Sequence, residues 1–80
     1  MDSPVDPSRA EYVWRQVADH LAGRIASGDL PAGARLPGER ALAEEYGVAL
    51  GTVRRAVLDL RERGLVQTLP AKGTFVASSE

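Results

Sequence analysis

The stretch Glu39-Arg40-Ala41-Leu42-Ala43-Glu44-Glu45-Tyr46-Gly47-Val48-Ala49-Leu50-Gly51-Thr52-Val53-Arg54-Arg55-Ala56-Val57-Leu58-Asp59-Leu60 decides how this chain folds. It holds two apolar patterns of helical period with a single break between them. Leu42, Ala43 and Tyr46 share one face before Gly47 interrupts. A second helix is under way from about Leu50 to Arg63. At about 100° per residue, Val53, Ala56, Val57 and Leu60 gather on one side, while Arg54, Arg55 and Gly51 point elsewhere. Two short helices joined by a glycine turn predict a helix-turn-helix.

Working outward, Gly64 closes the second helix. Leu65 to Leu69 and Thr74 to Ala77 then read as two short strands turned by Pro70-Ala71-Lys72-Gly73. On the other side, Asp29 to Pro37 is a loop with two prolines, within which Arg35-Leu36 is long enough for a very short strand. Before it, Val13, Trp14, Val17, Leu21 and Ile25 form an apolar stripe that predicts a first helix ending at Gly28. Ser8-Arg9-Ala10-Glu11 has the spacing of a capping box for that helix. The order is helix, short strand, helix, helix, hairpin. The fold class is therefore α+β, a winged helix-turn-helix of three helices plus a short β-hairpin wing. It is expected over residues 9–77, after a flexible lead-in at 1–8 and before a linker or chain end at 78–80.

Composition narrows the function. Eighty residues with 44% apolar content support one small core and leave little room for a deep substrate pocket. The absence of cysteine excludes disulfides and thiolate metal sites, and the single histidine, His20, is expected at the surface without metal partners. No cofactor is expected. No run approaches the roughly 18 apolar residues of a membrane span. The acidic, Pro-containing start is unlike a signal peptide, so the chain reads as cytoplasmic. A net charge of −1 does not favour nucleic acid. Its distribution does: residues 1–34 carry three Arg against five acids, whereas residues 35–73 carry seven Lys/Arg against five. No nucleophile–base pair, phosphate loop or metal cluster is present, and the adjacent Glu44 and Glu45 diverge on their helix, so the chain does not read as an enzyme.

A set of short motifs then carries a resemblance. Gln16-Val17-Ala18, Ile25-Ala26-Ser27-Gly28, Gly33-Ala34-Arg35-Leu36-Pro37 and Glu39-Arg40-Ala41-Leu42-Ala43 are followed by Gly47-Val48 and Thr52-Val53-Arg54-Arg55-Ala56. Leu60, Gly64-Leu65-Val66 and Lys72-Gly73-Thr74-Phe75-Val76 complete the set. Together, over about residues 12–77, they resemble the GntR-type (gluconate-repressor-like) transcriptional regulators. The resemblance implies sequence-specific binding of double-stranded DNA at a palindromic operator, as a dimer, by a bacterial regulator of the repressor kind. It implies the recognition helix in the major groove and the wing, residues 69–74, on the flanking backbone or minor groove. It also implies a C-terminal effector-binding domain outside this chain, which is read as a piece of a longer regulator, the alternative being a DNA-binding domain that works alone.

The residues this assigns to DNA are Arg35, Arg40, Leu50, Gly51, Thr52, Arg54, Arg55, Lys72, Gly73 and Thr74, and several have a plainer reading. Arg40 sits in a first helical turn, where a cation opposes the dipole, so a surface role is the weaker explanation. Thr52 is otherwise a helix-start residue and Arg54 a solvated one. Arg55 reaches a phosphate or pairs with Asp59 four residues on. Arg35 contacts phosphate or pairs at the surface, beside the second helix. Lys72, with Thr74 beside it at the hairpin tip, suits a minor-groove or phosphate contact, whereas Gly73 is better explained by turn geometry. Trp14 and Phe75 read as core rather than as stacking platforms.

The chain also departs from the family pattern. Ala49-Leu50 replaces the usual Ser-Arg or Thr-Arg, Leu69-Pro70-Ala71 replaces Arg-x-Gly, Gly38 replaces the usual cap before Glu39, and Trp14 replaces a Tyr. Leu50 can touch a thymine methyl but cannot read guanine. The competing reading is a winged-helix protein-interaction module that uses Leu50 and Leu58.

Overall fold

The computed structural model describes residues 4–78. Three helices, α1 (Val13–Ser27), α2 (Glu39–Tyr46) and α3 (Leu50–Glu62), precede two strands, β1 (Val66–Leu69) and β2 (Gly73–Val76). The strands pair antiparallel, Val66 opposite Val76 and Leu69 opposite Gly73. Architecture and element order are those expected of a winged helix. The short strand at Arg35 shrinks to an isolated bridge to Phe75.

One core joins the helices. Val17 and Leu21 of α1, Leu42 of α2, and Val53, Ala56 and Leu60 of α3 are wholly removed from solvent. Val66 and Val76 anchor the hairpin to the same cluster, each strand offering its one buried residue. Backbone bonds complete the attachment. The amides of Gly33 and Leu36 donate to the carbonyls of Val76 and Thr74 at 2.9 and 2.8 Å, and the Val76 amide donates to Ala34 at 2.8 Å. The loop before α2 is thereby laid against β2 as a third, side-chain-independent edge.

Three expectations are corrected. The capping box does not form: α1 starts at Val13 behind Tyr12, with no side-chain cap. The Ser8 hydroxyl donates to Asp6 Oδ1 at 2.6 Å, a contact that draws the Asp6 carboxyl below its ordinary pKa, and Glu11 pairs with Arg9. Nor is the described part of the expected lead-in, residues 4–8, loose throughout; residues 1–3, and 79–80 of the expected linker, lie outside the described residues. Val5 is buried in the core, and Gln16, itself buried, clamps the segment: its carbonyl oxygen accepts from the Asp6 amide at 2.7 Å, and its Nε2 donates to the Asp6 and Glu11 carbonyls. That clamp occupies residues 5–12 and delays the helix. Finally, neither Trp14 nor Phe75 is in the core; both are half-buried. His20 is exposed as expected, with its Nδ1 2.7 Å from the Tyr46 hydroxyl. No helix among the described residues is long and apolar enough to cross a membrane.

Candidate nucleic-acid interface

The turn between α2 and α3 sets the geometry. Gly47 takes the left-handed conformation, φ 67°, that ends α2, and the Val48 amide donates back to the Ala43 carbonyl at 3.0 Å. This closure of the last turn satisfies carbonyls that would otherwise be orphaned and sends the chain directly into α3. Ala49 then stands at the head of α3 in extended conformation with no side-chain oxygen to cap the first turn. The amides of Leu50 and Gly51 are left to an external acceptor. With Val53, Ala56, Val57 and Leu60 buried, the opposite side of α3 presents Gly51, Arg54, Arg55 and Leu58 to solvent.

The structure brings together Arg35, Arg54, Gly73 and Thr74. Arg54 Nε lies 3.1 Å from Glu39 Oε1, an exposed ion pair that ties α3 to the first turn of α2. Glu39 lines a cleft with Arg35, Gly73 and Thr74, roofed by Leu36 and Val57. The Arg35 guanidinium is pressed against the wing: a Cβ at Gly73 would lie 2.6 Å from Arg35 Nε. Gly73 thus answers to a close approach as well as to its turn, φ 127°. Arg40 and Lys72 are exposed and carry no ion pair among the described residues. Leu50 is half-buried, and Leu58 is 39% exposed.

One candidate residue stands apart from this group, and for another, one of its two expected readings is not met. Thr52 does not join this group; it is half-buried on the other flank of α3, lining a cleft with Val5, Pro7, Val48 and Ala49. Arg55 does not pair with Asp59. Asp59 is taken by Arg63, at 2.7 Å, which also reaches Asp19 of α1 at 2.6 Å. The Asp19 contact, more than Asp59, holds the Arg63 guanidinium more firmly charged than usual. Arg55 instead stands over the Trp14 ring, its Cζ 3.9 Å from the centroid. A further cation was not singled out in the sequence: Arg61 Nη1 donates to Thr68 Oγ1 of the wing at 2.9 Å, and Thr68 in turn bonds Thr74. Its spacing was a usable signal, because two helical turns separate it from Arg54 and put both on one side of α3.

The model of bacterial regulatory proteins of the gntR family matches residues 14–76. An uncharacterized HTH-type transcriptional regulator of Rhizobium meliloti is 44% identical over 64 residues, covering 80% of this chain and 26% of that protein. The mannosyl-D-glycerate transport/metabolism system repressor MngR of Escherichia coli is 41% identical over 64 residues, covering 80% of this chain and 27% of the repressor. Among solved structures, the AraR DNA-binding domain in complex with operator ORE1 superposes with a TM-score of 0.82 at 28% identity. That match covers 96% of this chain and 94% of AraR's domain. The chain thus spans about a quarter of the length of the curated relatives it matches.

Proposed function

Because this chain belongs to the gntR family of bacterial regulatory proteins, we propose that it binds operator DNA as the reading domain of a longer regulator of the repressor kind. The likeness over nearly the whole chain to a domain held on its operator carries the proposal. In this reading α3 enters the major groove, whose width of about 12 Å admits one helix. Arg54 leaves Glu39 for a base edge or phosphate, and the open amides of Leu50 and Gly51 face the backbone. Arg40 contacts phosphate at the start of α2, Arg35 and Thr74 beside the wing's turn, and Lys72 at its tip. Gly73 keeps the Arg35 guanidinium close. Thr52 reaches a phosphate from the far flank, and Arg55 from the outer face. A palindromic operator is read by two copies, and an effector acts through a domain other than this one. A regulator of this kind works in the cytoplasm and catalyses nothing.

Fluorescence anisotropy of a labelled duplex at two salt concentrations tests the proposal. Binding should weaken steeply with salt, and Arg54→Ala should cost about 1–3 kcal/mol of affinity. The same variant should melt within about 1 kcal/mol of the wild type, because an exposed ion pair contributes no more than that. Salt-independent binding, or none at low salt, would remove the reading. One observation favours the second reading, a protein partner: Leu58 is exposed on the same side of α3. NMR shift mapping separates the two, since DNA perturbs Arg54 and Lys72 whereas a partner perturbs Leu58 and Leu50.

A further inference from the structure

We propose that Trp14 is a positioning residue for DNA binding, its indole holding the Arg55 guanidinium as a charged phosphate contact on the flank of α3. The proposal rests on the DNA-binding reading above and gives a role to a residue that reading does not use.

Arg55 has an acid within reach, Asp59 one turn on, yet does not engage it. Asp59 and Asp19 are both drawn to Arg63, so two acids and one arginine close a cluster across α1 and α3 that excludes Arg55. What Arg55 meets is an aromatic face, at 3.9 Å from the ring centroid, well inside the range of about 6 Å over which a ring quadrupole attracts a cation. The two kinds of partner differ in what they leave behind. A carboxylate cancels the charge and consumes N–H donors. An indole face fixes the guanidinium while leaving its charge and its edge donors for an anion. Trp14 is itself fixed, standing in the first turn of α1 with the Tyr12 ring stacked on it at 6.2 Å and 12°. Tyr12 is 73% exposed, so the stack opens to solvent rather than into the core. Arg54, one residue away, is held by Glu39 instead. The two adjacent arginines are therefore held differently, one paired with a carboxylate until DNA displaces it, the other resting on an aromatic face with no carboxylate partner among the described residues.

The test uses the 80-residue chain and a fluorescein-labelled duplex of mixed sequence, with anisotropy followed across a salt series. Arg55→Ala and Trp14→Leu should each flatten the slope of log K against log salt by about 0.9, roughly a five- to tenfold loss near 0.1 M salt. Trp14→Phe should keep the wild-type slope, and the Trp14→Leu/Arg55→Ala double variant should bind no more weakly than Arg55→Ala alone. A wild-type slope for Trp14→Leu, or additive losses in the double variant, would overturn the proposal. An independent reading protects it if Trp14→Leu does not fold. Trp14 is the chain's single tryptophan, so its emission should change on adding duplex in the wild type and not in Arg55→Ala. The same change in both overturns the proposal. If the wild type binds no duplex at all, the DNA-binding reading fails and takes this inference with it. If the wild type binds and Arg54→Ala weakens it while Arg55→Ala does not, only this inference fails.

Discussion

The three helices and the wing are held by different forces. The helices meet through Val17, Leu21, Leu42, Val53 and Leu60, all fully buried. The hairpin buries Val66 and Val76 and is held otherwise mainly by backbone hydrogen bonds to residues 33–36, with one side-chain tie from Arg61 to Thr68. Apolar burial is roughly additive and unforgiving of lost volume, whereas backbone bonds ignore which side chains they carry. The helices therefore hold the stability of the domain, and the wing tolerates changes of composition away from Gly73 and Thr68 as long as its backbone shape is kept.

Leu42→Ala attacks the helical side and should have the largest effect. Removing a fully buried leucine costs about 2–5 kcal/mol, against a total of roughly 4–12 kcal/mol for a domain of this length. Thermal melting should show the variant largely unfolded or melting far below the wild type; a shift of only a degree or two would mean the helices are not the stabilising half. Gly73→Ala attacks the wing. It forces a side chain onto φ 127° and a Cβ to 2.6 Å from Arg35 Nε, so about 1–3 kcal/mol should be lost. Amide shifts should move in β1, β2 and residues 33–36 and stay put in α1. Shifts spread evenly through the helices would erase the contrast. The smallest effect is a gain. Ala71 sits at φ 64° behind Pro70, and the Lys72 amide closes the turn on the Leu69 carbonyl at 3.0 Å. Such a turn prefers glycine at that position. Ala71→Gly relieves about 1–2 kcal/mol of left-handed strain and adds about 0.5–1 kcal/mol of chain entropy to the unfolded state. A melting temperature raised by a few degrees is expected, and a lowered one would mean the turn is not strained.

The same division explains what the sequence made legible. The helix-turn-helix could be read because burial on one face leaves a periodic trace and Gly47 marks the break; α3 ends at Glu62, within a residue of expectation. The strands were found within a residue or so for a similar reason. The start of α1 was not, because Gln16 satisfies backbone groups of Asp6 and Glu11 through its amide, and a bond spanning ten residues leaves no local pattern. Of the candidate DNA residues, Arg35, Arg54, Gly73 and Thr74 come together through elements the sequence outlined. The partner of Arg55 was missed because Asp59 had to choose between two arginines, and Asp19, on another helix, made that choice.

The ladder between residues 33–36 and β2 bears on how such a protein diversifies. Because that ladder is built from peptide groups, and the side-chain ties of the wing at Gly73 and Thr68 lie outside Pro70 to Lys72, this tip behaves as an exchangeable cassette. A new tip grafted there inherits its aim from the backbone beneath it, and lengthening the hairpin by two residues preserves which side chains face inward. The departure of Leu69-Pro70-Ala71 from the family's pattern is then a substitution the scaffold accommodates. New specificities can arise at the tip while the helices that hold the domain together remain untouched.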